Sequence, residues 1–148
     1  HYSMNKIYEW IKDCYYRVSA KGIIKNNEWK ILFVQEDTGL WDIPGGWVDH
    51  WEELKEALKR EIYEEMWLEV ITINEEIFHI SLTESSGIWS PKRPICLIFR
   101  EITVKNLDFT PSSECQICFC SPKEALEKLD LYYPNIKVIQ ELIQKEEA

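Results

Sequence analysis

Residues 45–68 read GGWVDHWEELKEALKREIYEEMWL and carry the most informative pattern in the chain. Positions 52–66 contain no proline or glycine, and Leu54, Leu58 and Ile62 recur with the period of an amphipathic helix. This pattern predicts a helix over 52–66. The glycine pair before it, with the preceding proline, predicts an irregular loop.

On either side of this segment, alternating apolar residues predict strands, and apolar residues at helical spacing predict three further helices. The predicted strands are 15–24, 30–35, 68–73, 77–82, 95–104 and 115–120, and the predicted helices are 6–13, 122–129 and 135–145. Because strands and helices are interspersed along the chain, we expect a mixed β-sheet covered by helices on both faces.

Three glutamates, Glu61, Glu64 and Glu65, fall within an arc of about 100° on the predicted helix, on the side of its apolar residues. They occupy its last turns, where the helix dipole disfavours negative charge and like charges repel each other. A hard divalent cation would neutralise them. On the helical pattern alone, the more ordinary interpretation is a solvated acidic face, with Arg60 in a ladder of ion pairs.

The spacing of the whole segment resembles the Nudix hydrolase signature: a glycine, five residues, a glutamate, seven residues, then R-E-U-x-E-E-x-G-U, where U is aliphatic. Eight of its nine specified positions match, namely Gly46, Glu52, Arg60, Glu61, Ile62, Glu64, Glu65 and Leu68. The ninth is Trp67, where the signature has glycine. The run LWDIPGG at 40–46 is also similar to the family's approach to this signature, and the resemblance covers most of residues 14–145.

This resemblance implies an α/β fold, a Nudix-like α/β/α sandwich with a mixed β-sheet. It implies hydrolysis of a nucleoside diphosphate linked to another group, in which water attacks phosphorus with the help of Mg²⁺ or Mn²⁺. By position, the metal ligands are Glu61, Glu64, Glu65 and the backbone carbonyl of Gly46. Arg60 joins the catalytic set by bracing the loop before the helix, together with Glu52.

Further site residues are candidates from their positions. Glu114, ahead of a predicted strand, is a candidate general base and metal ligand, with Glu84 next; a surface acid is the more ordinary interpretation of each. For the substrate, we expect Arg17 to contact a phosphate or the linked group, Trp41 to stack on a base and Arg93 to hold a distal phosphate. The plainer alternatives are packing for Trp41 and a solvated loop for Arg93.

Composition limits the class of protein. The 148 residues carry 17 basic and 26 acidic side chains, a net charge of −9, which argues against nucleic-acid and membrane-surface binding. The length predicts a single domain at 4–148, after three residues, 1–3, interpreted as an expression scar. Apolar runs are too short to span a membrane, and no leader opens the chain, so we expect a cytoplasmic protein. The Nudix resemblance implies a small nucleotide substrate. The resemblance leaves a homodimer open.

The five cysteines are an odd number, which favours a reducing compartment. Cys115, Cys118 and Cys120 have no nearby histidine to complete a closed zinc site. We therefore interpret them as thiols of a buried strand, with Cys118 and Cys120 on one face.

Seven tryptophans against five glycines reverse the usual balance of these residues. Trp29, Trp47, Trp51 and Trp67 stand where relatives often have glycine, in a hairpin turn, in the loop around the signature and at the helix end. We hypothesise that the source reads UGA as glycine and that tryptophan stands at those codons.

A second class of function is a Nudix-fold domain that binds or senses a nucleotide without cleaving it. The complete set of Glu61, Glu64 and Glu65 disfavours it, whereas Trp51 and Trp67 favour it mildly. A prenyl diphosphate isomerase of the same fold lacks support, because no cysteine lies in the signature region. ADP-ribose-like compounds, dinucleoside polyphosphates, nucleotide sugars and oxidised nucleoside triphosphates all remain open as substrates.

Overall fold

The structure, a computed structural model, describes residues 14–85, 92–107 and 116–148. Its strands are β1 (Arg17–Ile23), β2 (Ile31–Gln35), β3 (Trp41–Asp42), β4 (Gly45–Trp47), β5 (Val70–Ile73), β6 (His79–Glu84), β7 (Pro94–Val104) and β8 (Gln116–Cys120). Its helices are α1 (Leu54–Met66), α2 (Pro122–Lys128) and α3 (Pro134–Glu147). Every predicted strand and helix that falls within these residues is present, with ends that differ by no more than two residues. The predicted helix over 6–13 lies outside the described residues.

The larger sheet is built around β1 and the long strand β7, which run parallel with Arg17 opposite Ile95 and Ile23 opposite Glu101. β4 pairs with the free edge of β1, while β6 and β5 pair one after the other with the far edge of β7, all antiparallel. A second sheet has the antiparallel order β3-β2-β8. The combination of parallel and antiparallel pairs confirms the predicted mixed sheet.

Helix α1 covers one side of the sheets. Leu58, Ile62 and Met66 recur at four-residue spacing and are buried, and they pack with Ala20 of β1 and Leu32 of β2. Burying side chains of this size contributes about 1.5–3 kcal/mol each. This apolar stripe fixes the rotation of α1, and so decides which of its glutamates point towards β1 and β4.

The opposite side is covered by α2 and α3. Val138, Ile139 and Leu142 of α3 are fully buried against Phe33 of β2 and Phe99 of β7. Helices therefore lie on both sides of the β-structure, and the predicted α/β/α sandwich is confirmed.

The prediction of an irregular backbone at the glycine pair is wrong, because Gly45–Trp47 forms the strand β4. Gly45 pairs with Lys21 at a φ of +139°, and a Cβ there would overlap the carbonyl oxygen of Ala20. Glycine allows both this φ and this close approach of two strands.

The interpretation of the strand cysteines as buried thiols is confirmed for Cys120, and Cys118 is partly buried. Cys120 is buried in the core beside α3, and Cys118 packs against the same cluster. Both thiols are free, and burial raises the pKa of Cys118 to about 11. Cys115 lies outside the described residues, as do residues 1–3. Among the described helices, none is long and apolar enough to cross a membrane.

Candidate active site

At Gly46, the strand β4 faces α1 with backbone that carries no side chain. Gly46 lies opposite Ala20 in the ladder between β4 and β1, and the carboxylate of Glu61 occupies the space where a side chain of residue 46 would lie. A Cβ at Gly46 would overlap both carboxylate oxygens of Glu61. The missing side chain therefore lets an α1 carboxylate approach the β4 backbone.

Glu65, one turn further along α1, carries a carboxylate that is incompletely paired. Its Oε2 atom is buried and has no hydrogen-bond partner among the described residues. Burial raises the pKa of Glu65 to about 8, although the charge of Lys21 opposes this rise. The negative charges of Glu61 and Asp42 raise the pKa further, and a hydrogen bond from the Gly45 backbone lowers it. The positive charge of Lys21 and the hydrogen bond from Gly45 therefore do not compensate for the burial of the Glu65 carboxyl group.

Arg60 links the helix to the loop before it. Its Nε and Nη2 atoms donate to the two carboxylate oxygens of Glu52, each at 2.8 Å, and Nη2 also donates to the Trp47 carbonyl at 2.9 Å. These hydrogen bonds lower the pKa of Glu52 to about 2 and raise the pKa of Arg60. The predicted bracing role of Glu52 and Arg60 therefore has a direct geometric basis.

The three glutamates of the signature do not occupy equivalent positions. Glu61 is half-buried and accepts from Arg60 Nη1 at 2.9 Å, whereas the side chain of Glu64 is 57% exposed and accepts from the same nitrogen at 3.3 Å. Among residues 14–85, 92–107 and 116–148, no three acidic, histidine or cysteine side chains converge closely enough to hold a metal ion. The structure brings Glu61 and Glu65 towards β4 and leaves Glu64 at the solvent edge.

The donor set at this place fits a divalent cation nonetheless. The buried, unpaired Oε2 of Glu65 is an oxygen ligand without a partner, and the Glu61 carboxylate lies against the Gly46 backbone. Carboxylate and carbonyl oxygens are the ligands that Mg²⁺ and Mn²⁺ prefer. The residues present therefore fit such an ion, with Glu64 at the rim.

A buried polar network beside Glu65 was missed by the sequence analysis. Lys21 Nζ lies 2.9 Å from Asp42 Oδ2, and both side chains are almost fully buried. Asn135 Nδ2 donates to Asp42 Oδ1 at 2.8 Å and to the Tyr132 carbonyl at 2.9 Å. The available signal was Lys21 itself, a lone lysine in the apolar second half of a predicted strand.

Among the predicted substrate residues, Arg17 lies nearest to the signature. It is the first residue of β1, and its guanidinium lies 3.8 Å from Asp49 Oδ1 and stacks over the Trp47 ring at 5.5 Å from the ring centroid. Trp41 is half-buried in β3 and packs against the core beneath α3. Its backbone pairs with Asp130 and Tyr132, so the structure gives it at least a packing role.

The two remaining candidates belong to other parts of the chain. Arg93 is exposed just before β7, and its backbone is held by Ser85 through hydrogen bonds of 2.8 and 3.0 Å. Glu114 lies outside the described residues. Both assignments stay predictions.

Comparison with known proteins places this arrangement in a family. The sequence profile of the NUDIX domain matches residues 15–142, which confirms the resemblance of the signature. A MutT-like protein of Streptomyces ambofaciens is 24% identical over 117 residues, covering 78% of this chain and 71% of that protein.

Solved structures share the fold. A MutT protein from Methanosarcina mazei Go1 superposes with a TM-score of 0.75 at 20% identity, covering 93% of this chain and 99% of the other. An ADP-ribose pyrophosphatase from Streptococcus suis 89-1591 gives 0.62 at 24% identity, covering 85% and 90%. With the profile match over most of its length, this chain belongs to the NUDIX domain family.

Proposed function

We propose that this protein hydrolyses the diphosphate bond of a nucleoside diphosphate linked to another group, with Mg²⁺ or Mn²⁺ as cofactor. The observation that carries the proposal is the buried, unpaired Oε2 of Glu65 beside Glu61 and Gly46. A stable fold gains nothing from an unpaired buried carboxylate oxygen, because its desolvation is not compensated. A cation held there for catalysis supplies the missing partner.

In the proposed site, Glu61, Glu65 and the Gly46 carbonyl would hold the metal. Glu64 lies at the solvent edge and would have to turn inward to join them. When bound, the metal neutralises the diphosphate, polarises the bond to be broken and acidifies the attacking water. Arg60 keeps the loop of residues 47–52 fixed against α1. The Gly46 carbonyl and the carboxylates of Glu61 and Glu65 therefore keep their relative positions.

The substrate is expected to approach from the β1–β4 edge. Arg17 stands beside Asp49 at this edge and is half-exposed, so its guanidinium is available to a phosphate oxygen. Trp41 as a base contact, Arg93 as a distal phosphate contact and Glu114 as a general base or further metal ligand complete the proposed set. Because the protein has a net charge of −9, a bound cation would offset its repulsion of a negatively charged diphosphate substrate.

The names of similar proteins support a small nucleotide as substrate. They include a MutT-like protein and an ADP-ribose pyrophosphatase. We place the reaction in the cytoplasm, since the four described cysteines are all free thiols. Nucleic acid and membrane lipid are not proposed as partners, and a homodimer stays open.

The test is turnover on a panel of ADP-ribose, a dinucleoside polyphosphate, a nucleotide sugar and an oxidised nucleoside triphosphate. Each is assayed with Mg²⁺, with Mn²⁺ and with EDTA, and products are identified in ¹⁸O-labelled water. We expect metal-dependent cleavage of at least one compound, with one ¹⁸O atom in a phosphate product. Cleavage that persists in EDTA would contradict the proposal.

The second candidate, a binding domain without turnover, predicts a different result on the same panel. At least one compound would bind, as seen by a shift in thermal stability, while none would be cleaved with either metal. The exposed position of Glu64 and the exposed tryptophans at the two ends of the helix favour this outcome. The unpaired Oε2 of Glu65 and the Glu61 carboxylate beside Gly46 oppose it.

A further inference from the structure

Among the described residues, three that are not glycine have a left-handed backbone, and all three are tryptophan. Trp29, Trp51 and Trp67 have φ values of 63°, 66° and 60°. A bulky side chain in this region is an outlier, because its Cβ crowds the backbone. Their side chains are 68%, 91% and 63% exposed, so none of them gains core packing in exchange.

Trp29 occupies a hairpin position that calls for glycine. Trp29 N–H donates to the Asn26 carbonyl at 3.0 Å, which closes a turn, and Asn26 N–H donates to the Lys30 carbonyl at 2.9 Å, which closes the hairpin between β1 and β2. A three-residue hairpin loop of this kind ends with a left-handed residue that forms a bulge, and that residue is usually glycine.

Trp51 occupies the third position of the turn that leads into α1. Glu52 N–H donates to the Asp49 carbonyl at 3.0 Å, and of the two central residues only Trp51 has a positive φ. This is the arrangement of a type II turn, whose third residue is normally glycine. The Trp51 ring contacts His50, its own neighbour, at 4.6 Å between centroids.

Trp67 ends α1 in a left-handed conformation. Its φ and ψ are 60° and 23°, and its N–H donates to the Tyr63 carbonyl at 2.7 Å. Glycine is the usual residue at such a helix end, since it has no Cβ. Position 67 is also the one signature position at which this chain departs from the family pattern.

We propose that the natural protein carries glycine at positions 29, 51 and 67, because its source organism reads UGA as glycine and tryptophan stands here at those codons. Three unrelated backbone requirements then have one explanation. Trp41, which packs against the core, is a genuine tryptophan. Trp47 has no left-handed backbone and stacks with Arg17, so the conformation that supports the other three positions does not extend to it.

Reading the codons in the source gene tests this directly. We expect UGA at positions 29, 51 and 67 and UGG at position 41. Peptide mass spectrometry of the protein from its source should then give glycine at the three UGA positions. UGG at any of the three, or tryptophan found there in the natural protein, would overturn the proposal for that position.

A second test needs neither the source nor an active enzyme. The triple variant Trp29→Gly, Trp51→Gly, Trp67→Gly is compared with the present protein and with Trp41→Gly by thermal unfolding. We expect the triple variant to raise Tm by about 3 °C or more, because glycine relieves the strain at each site. Trp41→Gly should lower Tm, since it removes a packed ring. A triple variant that melts at a lower temperature would show that these positions do not call for glycine.

Discussion

The guanidinium of Arg60 donates hydrogen bonds to both oxygens of the Glu52 carboxylate, from Nε and Nη2, each at 2.8 Å. The two residues are eight positions apart, so the contact ties the loop before α1 to the middle of the helix. Asp49 N–H also donates to Glu52 Oε1 at 3.0 Å. One arginine thereby fixes the backbone of the segment whose first residue, Gly46, faces Glu61.

Arg60→Lys should weaken this link more than a charge-conserving change normally would. An ammonium group cannot donate to two carboxylate oxygens and a carbonyl in one plane. We expect Tm to fall by a few degrees and turnover to fall with it. Lys59→Arg, an exposed cation on the same helix, is the matched control and should change neither. An unchanged Tm in Arg60→Lys would contradict the bracing role.

The same contact predicts a pH dependence. The pKa of Glu52 is lowered from 4.5 to about 2 in the folded protein, chiefly by its hydrogen bonds with Arg60. Its stabilising contribution is therefore complete above pH 4.5 and is lost as the pH falls from 4.5 towards 2. We expect the difference in Tm between the parent protein and Glu52→Gln to shrink over this range. A difference that stays constant down to pH 2.5 would show that Glu52 is not the titrating group.

Lys21→Met should be strongly destabilising, because it leaves the Asp42 carboxylate buried without its cation. Breaking a buried pair in this way costs about 3–5 kcal/mol. Lys55→Met removes the exposed partner of Glu75 and should cost about 1 kcal/mol or less. Urea unfolding of both variants measures the difference. Equal decreases in the free energy of unfolding of the two variants would contradict a stabilising role for the buried Lys21–Asp42 pair.

Gly46→Ala tests the close approach of Glu61 to β4. Position 46 has no left-handed φ, so alanine is compatible with its backbone, but the new Cβ would displace the Glu61 carboxylate. We expect a folded protein whose turnover is reduced by about 100-fold, since displacements near 1 Å have such effects. Gly39→Ala has open space around it and a φ of +86°, so it should cost stability without affecting turnover at a permissive temperature. Full activity in Gly46→Ala would place the metal elsewhere.

The framework was predictable because its signals are local. The helical period of Leu54, Leu58 and Ile62 predicts α1 from its own residues, and the alternation of apolar residues predicts the strands. The spacing of the signature then predicted the residues of the candidate site. The strand at Gly45–Trp47 was not predictable in this way, because its pairing with β1 depends on a close approach that only the folded sheet reveals.

The details of the site depend on contacts between distant positions. Lys21, Asp42 and Asn135 are brought together from three parts of the chain, and no spacing rule links them. The helical wheel placed Glu64 on the same side of the helix as Glu61, but it could not show that Glu64 is exposed in the folded protein. Burial is a property of the fold, so the inequality of these glutamates required the structure.

The most direct test of the account is the binding of Mn²⁺ to the parent protein, to Glu65→Gln and to Glu69→Gln, followed by electron paramagnetic resonance. Glu69 is an exposed glutamate paired with Lys105 and serves as the matched control. We predict that Glu65→Gln weakens Mn²⁺ binding by at least about 10-fold, because it removes a buried oxygen ligand, while Glu69→Gln binds as the parent does. Mn²⁺ binding that is unchanged in Glu65→Gln would contradict the claim that the unpaired carboxylate oxygen of Glu65 is a metal ligand.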